Sequence, residues 1–443
     1  MSNNISKTIE EGTWTRAHTW SFISFSVGML LEAYIFGLAS VAEAWYSVPK
    51  SLGTLLLVWA PLWLIIGIIV AGPISDRIGR KTTFYYTMAL YGIGAVGVAF
   101  ANSYALVLPF LAMLLFSAGG EMNTIMVATH EIMPRKNRSK AMFYEINFIN
   151  FGGLLLGAVA FASAYSSIGF QKYMIGLTAL LVLAVLVYSR LKMPESVRWL
   201  EFKGKKEEAE TEAKKYFGAV DPPATTATTA TTAAAPTTGS APLKMLSIPV
   251  RLLIVIAVAG ANTIGYGLMT YSLGYYYYGS NAFVIDIIIL VTNISEFGTG
   301  LVLGAFADRV SRKLLLLVSF IGAAVVTYGI YFTVGSWYSN LAIFLALLVV
   351  LNVFIGISYL TEDTLKGEIW PTERRGTLTA LARFVSIGLY IPALIYGSTA
   401  PIDQYMLFNA LIWTVGLAAA AVWYVKGHET GKGVSISVAS GEV

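Results

Sequence analysis

The chain contains no cysteine and only three histidines among its 443 residues. It can therefore form no disulfide bond, thiolate metal site or cysteine nucleophile, and three histidines leave little room for a histidine metal cluster. The sequence has no motif that pairs a nucleophile with a base and no loop suited to hold a phosphate. We predict that the protein is not an enzyme and binds no metal and no cofactor.

Charged residues are also scarce, at 12% of the chain, whereas hydrophobic residues make up 56%. Apolar runs of about 20 residues recur about twelve times, and each is long enough to cross roughly 30 Å of hydrocarbon as a helix. These runs lack the alternation of apolar and polar residues that is typical of membrane β-barrels. The expected fold is an all-α membrane protein with twelve transmembrane helices.

The predicted spans form two groups of six, which we expect to be two pseudo-symmetric bundles. They run approximately over residues 18–42, 53–75, 82–101, 104–130, 141–166 and 170–191, and then over 249–278, 283–306, 314–335, 338–362, 376–398 and 402–425. Between the groups, residues 203–215 predict a short charged helix, and residues 222–239 form a threonine- and alanine-rich tether that is too polar to fold. The predicted divisions are a terminal segment at 1–17, bundles at 18–191 and 249–425, a linker at 192–248 and a tail at 426–443.

Basic residues are concentrated in alternate loops. These loops contain Arg77, Arg80 and Lys81; residues 135–140; residues 190–244; residues 309–313; Lys366, Arg374 and Arg375; and Lys426 and Lys432. The intervening loops hold only Lys50 and Lys172. Because cytoplasmic loops carry the excess of Lys and Arg, we expect a cell-membrane protein with both termini in the cytoplasm. The net charge of +5 then reflects topology and not nucleic-acid binding.

Two motifs occur once in each half of the chain. DRIGRK at residues 76–81 is matched by DRVSRK at 308–313, and the offset is 308 − 76 = 232 residues. EIMPRKNR at 131–138 is matched by EIWPTERR at 368–375, and the offset is 368 − 131 = 237 residues. Two signatures at nearly one offset indicate a duplicated membrane transporter.

The charges in these motifs can form ion pairs and helix caps at the ends of neighbouring helices, and Gly79 permits a tight turn. We predict that they latch one conformation at a cytoplasmic gate; the alternative is that they only mark the inner face. The predicted gate residues are Asp76, Arg77, Gly79, Arg80, Glu131, Arg138, Asp308, Arg309, Arg312, Glu368 and Arg375.

The repeated loop resembles the signature of the major facilitator superfamily, and the resemblance covers nearly the whole chain. PESVRWL at 194–200 resembles the Pro-Glu-Ser-Pro-Arg-Trp-Leu motif of sugar porters and organic-ion transporters, with Val197 in place of the second proline. EIWPTERRGT at 368–377 contains the Pro-Thr that is more usual in the organic-ion branch, so the branch stays open. The resemblance implies that two six-helix halves alternately open a central cavity.

Ionisable side chains inside a membrane are costly and usually have a function. The deeper set consists of Glu32, Glu121, Glu145, Glu296 and Arg383. Five acids lie nearer the predicted span ends, where we assign them to solvation or capping: Glu43, Glu131, Asp286, Glu362 and Asp363.

Two of the deeper acids match motifs of proton-coupled phosphate and organic-acid symporters. LEAYIF at 31–36 resembles an acidic element of their first span, with Glu32 at the first acid, and AGGEM at 118–122 resembles the Gly-Gly-acid element of their fourth. The resemblance implies that Glu32 and Glu121 carry protons, and we add Glu145 as a third candidate. The alternative for each is a neutral carboxyl that hydrogen-bonds neighbouring helices.

GANTIGY at 260–266 resembles a segment of the seventh span of sugar porters, but Ile256 and Ala257 replace the glutamines that precede it there. Arg383, the only basic residue deep in a predicted span, could pair with a substrate carboxylate or phosphate, or with one of the protein's own glutamates. The predicted substrate-binding residues are Tyr34, Asn262, Tyr266, Glu296 and Arg383.

The function predicted from these residues is proton-coupled symport of a small polar metabolite, with an organic anion or sugar acid favoured. A sugar porter and a non-transporting nutrient receptor are the alternatives. The expected partners are the small-molecule substrate, protons and the lipid bilayer, and we expect a monomer that binds no nucleic acid.

Overall fold

The computed structural model describes residues 5–43, 45–46, 52–163, 166–218, 245–278, 281–307, 309–371, 374–432, 434 and 436–441. In this part of the chain, twelve helices are long and apolar enough to cross a membrane, as predicted. The predicted tether at 222–239, Lys50, Asp308 and the side chain of Glu43 lie outside the described residues.

The amino-terminal half contains α2 to α7, and short helices precede and follow it. The bounds are α1 (Ile5–Glu11), α2 (Arg16–Glu43), α3 (Gly53–Ile78), α4 (Arg80–Phe100), α5 (Tyr104–Ile132), α6 (Arg138–Ser163), α7 (Ile168–Leu191), α8 (Val197–Phe202) and α9 (Lys206–Phe217). The charged helix predicted at 203–215 corresponds to α9.

The carboxy-terminal half begins with α10 (Ile248–Gly267), which continues through a π-helical turn at Leu268–Ser272 into α11 (Leu273–Tyr277). Such turns are rare and often occur at functional sites. The remaining helices are α12 (Ala282–Phe306), α13 (Arg312–Phe332), α14 (Val334–Trp337), α15 (Leu341–Glu368), α16 (Arg375–Gly397), α17 (Ile402–Lys426) and α18 (Ile436–Ser440).

Each half has its own apolar core, and the halves meet through α6 against α12 and α3 against α16. Small residues allow this close approach: a Cβ atom added at Gly153 would lie 2.1 Å from the Oδ1 atom of Asn293. Glycine-mediated contact is typical of helix packing in membranes, where van der Waals contact and hydrogen bonds drive association.

The loops that contain the repeated motifs lie at one end of the bundle, which we call the basic end. There α1, α8 and α9 share a small apolar cluster that includes Ile9, Trp199 and Leu200. The tail is also packed: the carbonyl oxygen of Ser440 accepts a hydrogen bond from the Nη1 atom of Arg251 at 3.1 Å. The terminal segments therefore contact the bundle through the short helices α1 and α18.

Candidate functional site

A cavity of about 100 Å³ lies between the two halves, near the middle of the long helices. Its walls come from α2, α3 and α6 of the first half and from α10, the π-helical turn, α12, α15 and α16 of the second. The polar side chains that line it are Glu32, Asn150, Asn262, Thr263, Tyr266, Tyr271, Glu296, Tyr359, Glu362, Asp363, Lys366, Arg383, Ser386 and Tyr390.

Five buried charges form a connected cluster on this cavity. The guanidinium of Arg383 lies 3.5 Å from Glu32 Oε1 and 3.8 Å from Asp363 Oδ1. Lys366 Nζ contacts Asp363 and lies 2.9 Å from Glu362 Oε2. Glu32 belongs to α2 and the other four belong to α15 and α16, so the Glu32–Arg383 pair joins the two halves.

Arg383 also reaches the first half through a thioether, because its Nη1 atom lies 3.0 Å from Met126 Sδ on α5. A guanidinium has a rigid fork of donors, which lets it face more than one acceptor at a time. Arg383 is therefore the cation of the described cavity with acceptors in both halves.

The sequence analysis was wrong about three members of this cluster. Glu362 and Asp363 were assigned to solvation or capping and Lys366 to a loop, but all three are buried, because α15 continues to Glu368 and turns these side chains inward. Their spacing of three and four residues, directly after a long apolar run, was the available signal. Asp286, another acid assigned to a span end, is also buried.

Glu121 lies outside the central cavity, in a closed network within the first half. Its carboxylate forms an ion pair with Arg190, and both side chains are fully buried. Thr87 Oγ1 donates to Glu121 Oε2 at 2.9 Å, and Arg190 Nε donates to Ser24 Oγ at 3.2 Å. The sequence analysis placed Arg190 in a loop and Arg383 alone in the interior, and both statements are wrong.

The remaining membrane acids have different surroundings. Glu145 does not line the cavity, and its Oε2 atom accepts a hydrogen bond from Thr129 Oγ1 at 2.5 Å. Glu296 does line the cavity, and its Oε1 atom has no hydrogen-bond partner among the described residues. Of the three acids predicted to carry protons, only Glu32 reaches the cavity.

The two tyrosines that the repeat offset relates are not equivalent in the structure. Tyr266 lines the cavity, and its hydroxyl lies 3.3 Å from Asn293 Oδ1. Tyr34 faces the interior of its own half, where its hydroxyl donates to the carbonyl oxygen of Ile175 at 2.8 Å. Asn262 lines the cavity and accepts a hydrogen bond from Ser358 at 2.9 Å.

At the basic end of the first half, Arg80 pairs with Asp76 at 2.9 Å and with Glu131 at 3.0 Å. The carboxylate of Glu195 accepts hydrogen bonds from the backbone nitrogens of Arg80 and Lys81, each at 3.1 Å, and so caps α4. Gly79 has a φ of 99°, which favours glycine. Burial raises the pKa of Glu195 although these donors favour its ionised form.

The second half repeats this cap with a residue that the sequence analysis missed. Glu429 Oε1 accepts from the backbone nitrogen of Arg312 at 2.9 Å, as Glu195 does from Arg80. Lys313 Nζ donates to the carbonyl oxygen of Gly427 at 2.8 Å, as Lys81 Nζ does to Met193. The offset of 429 − 195 = 234 residues matches the repeat and was the available signal.

The other predicted gate residues have a range of surroundings. Arg138 pairs with Glu10 of α1 at 2.8 Å, and Arg198 reaches the same carboxylate at 2.5 Å. Burial raises the pKa of Glu10, but the two guanidiniums outweigh burial and lower it. Arg312 lies 4.0 Å from Glu368, and Arg375 Nη2 donates to the carbonyl oxygen of Trp370 at 3.2 Å. Arg77 and Arg309 are exposed.

Asp76 also faces the second half. It lines a cavity of about 360 Å³ together with Gly376 and Thr377 at the amino-terminal end of α16, where a carboxylate is favoured. If this contact latches the basic end, replacing Asp76 by Asn should open it more often. A latch worth about 1.4 kcal/mol in one conformation changes the population ratio about tenfold.

The measurement for Asp76→Asn is the labelling of single cysteines introduced at either end of this cysteine-free chain. Labelling should rise at the basic end and fall at the opposite end. Arg77→Gln is the matched control, because Arg77 is exposed on the same turn. Unchanged labelling at both ends would show that the motif only marks topology.

Comparisons with known proteins agree with this architecture. The family described as Major Facilitator Superfamily matches residues 19–389. A D-xylose transporter of Levilactobacillus brevis is 25% identical over 90% of each chain. The niacin transporter NiaP of Acinetobacter baylyi is 24% identical over 44% of this chain, which spans only 43% of that relative. The structure of the proton:xylose symporter XylE bound to 6-bromo-6-deoxy-D-glucose covers 94% of this chain and 97% of its own, with a TM-score of 0.72 and 18% identity.

Proposed function

This chain belongs to the Major Facilitator Superfamily, and we propose that it is a proton-coupled symporter of a small polyhydroxylated solute, such as a sugar or polyol. Membership makes it a multi-pass membrane transporter and not an enzyme. The observation that carries the coupling proposal is the arrangement of Glu32, Arg383 and Asp363 across the two halves.

Protonation of Glu32 would remove one of the two carboxylates that hold Arg383. The guanidinium would then be left to Asp363 of its own half, and an ion pair between the halves would be lost. A proton can therefore change the relative free energies of the closed and open cavity, as coupling between a bound ion and a conformational change requires. Carboxyl groups inside membrane bundles commonly mark such proton paths.

The charge of the cavity supports a polyhydroxylated solute over the organic anion that Arg383 alone suggested. Four acids and two bases line it, so the formal charge is 2 − 4 = −2 when all are ionised. Both bases already contact carboxylates of the protein. An added anion would have to displace one of these carboxylates, and like-charge contacts disfavour binding.

The remaining walls suit hydroxyl groups. Asn150, Thr263 and Ser386 present amide and hydroxyl groups, and Tyr266 and Tyr390 add phenolic hydroxyls beside aromatic faces. Amides and hydroxyls can each donate and accept hydrogen bonds, which matches the two-way needs of a polyol. The D-xylose transporter that aligns over 90% of this chain supports the same class.

We extend the proposal to topology and assembly. The basic end would face the cytoplasm, which places both termini inside, because it contains the lysine- and arginine-rich loops. One chain already encloses a cavity between its halves, which supports a monomer as the transporting unit.

The proposed function predicts solute accumulation that depends on a proton gradient. Purified protein in liposomes that are acidic outside should accumulate labelled D-xylose or sorbitol, and a proton ionophore should abolish the accumulation. Gluconate is the anionic comparison, and empty liposomes are the control. Accumulation of gluconate alone would favour the organic-anion prediction, ionophore-insensitive uptake would contradict coupling, and binding without uptake would favour a receptor.

A further inference from the structure

We propose that Glu296 makes the central cavity selective for polyhydroxylated solutes that carry a protonated amine. This inference rests on the proposed function, because it names the class of solute that the same cavity accepts. It starts from a difference among the four acids of the cavity wall, of which one has a carboxyl oxygen left unused.

Glu296 differs from the other three acids in its lack of a cationic partner. Glu32 faces Arg383, and Asp363 and Glu362 share Lys366. The Glu296 side chain is 1% exposed and lines the cavity. Among the described residues its Oε1 atom accepts no hydrogen bond, and no basic side chain forms an ion pair with it.

A buried carboxyl that served only in packing would have both oxygens satisfied, as most buried polar atoms do. An unpaired negative charge in such a site is costly, and a cation that enters the cavity would offset this cost. The ammonium group of a solute has the right charge and three donors for a carboxylate.

The aromatic rings around the same cavity favour the same ligand chemistry. Phe36, Tyr266, Tyr271 and Tyr359 line it with Glu296. Tyr266 and Tyr271 are packed edge to face with ring centroids 5.5 Å apart, which fixes their orientation. Aromatic faces attract ammonium groups, and the attraction increases when water is excluded. Carboxylate and rings together therefore form an ammonium site within a cavity whose other groups suit hydroxyls.

The nearest polar neighbours of Tyr266 leave Glu296 available to the ligand. The Tyr266 hydroxyl contacts Asn293 Oδ1 and the Tyr271 hydroxyl, each at 3.3 Å. Asn293 Nδ2 in turn donates to the carbonyl oxygen of Ile289 at 2.8 Å. These contacts tie the neighbouring donors to other acceptors.

The test compares two probes that differ in one group. Sorbitol and D-glucamine share a carbon chain, but glucamine has an ammonium in place of one terminal hydroxyl at neutral pH. The purified protein should bind glucamine about tenfold or more tightly than sorbitol, since charge-assisted contacts are about twice as strong as neutral ones. Glu296→Gln should lose this preference and still bind sorbitol, and Glu296→Asp should retain part of it.

Glu145→Gln is the matched control, because Glu145 is buried without an ion pair and lies away from the cavity. It should keep the preference of the parent. Equal affinity of the parent for both probes, or an undiminished preference in Glu296→Gln, would overturn the inference. Accumulation of sorbitol without preference for glucamine would overturn this inference alone. A glucamine preference without gradient-driven uptake would overturn the proposed function alone.

Discussion

Replacing Glu32 by Gln is expected to abolish solute accumulation driven by a pH gradient, while solute exchange between the two sides continues. Glutamine keeps the shape of the side chain but cannot exchange a proton, so Arg383 would stay with Asp363 throughout the cycle. The measurement is uptake into proteoliposomes, first under an imposed proton gradient and then by counterflow of labelled solute without a gradient.

The control for this prediction is Glu145→Gln, which removes a buried carboxyl outside the cavity. It should accumulate solute as the parent does, since its carboxyl is bonded to Thr129 and faces no part of the central cluster. If Glu32→Gln accumulates solute normally and Glu145→Gln does not, the proton carrier is misassigned. Loss of counterflow in Glu32→Gln would mean that the residue serves solute binding or folding instead.

Replacing Arg190 by Met is expected to destabilise the protein by about 3–5 kcal/mol, because it leaves the carboxylate of Glu121 buried without its partner. Removing both charges in Arg190→Met with Glu121→Met should recover most of the loss, since a buried ion pair replaced by apolar groups is often neutral in stability. The measurement is thermal unfolding in detergent.

The Arg190 prediction depends on the complete burial of both side chains. The exposed Lys205–Glu208 pair is the matched comparison, because surface ion pairs contribute little. Lys205→Met should leave the midpoint of unfolding nearly unchanged. An Arg190→Met variant as stable as the parent, or a double variant no better than the single one, would show that Glu121 is not held as an ionised partner.

The fold could be predicted from the sequence because its signals are local. Each span is a continuous apolar run, and the run length alone decides that it crosses the membrane as a helix. The repeated segments at 76–81 and 308–313 then assigned the duplicated architecture, and both the twelve helices and the family are confirmed. The gate and proton roles assigned to individual residues stay predictions.

The composition of the central cluster could not be predicted as well, because burial near the end of a span depends on tertiary packing. Lys366 lies in the last turn of α15, where sequence alone favours a solvated loop, but acids on its own helix enclose it. Arg190 was assigned to a loop for the same reason. Tyr34 shows the limit of the repeat argument, since equivalent positions in two halves can face different surroundings.

The most direct test of proton-coupled symport is the proton movement that accompanies solute entry. A solute that passes the uptake screen is added to proteoliposomes with no imposed gradient, and the external pH is followed in a weakly buffered medium. Symport predicts that the external medium becomes alkaline as labelled solute enters, and that Glu32→Gln abolishes the pH change. Entry of labelled solute into parent proteoliposomes with no change in external pH would contradict proton-coupled symport.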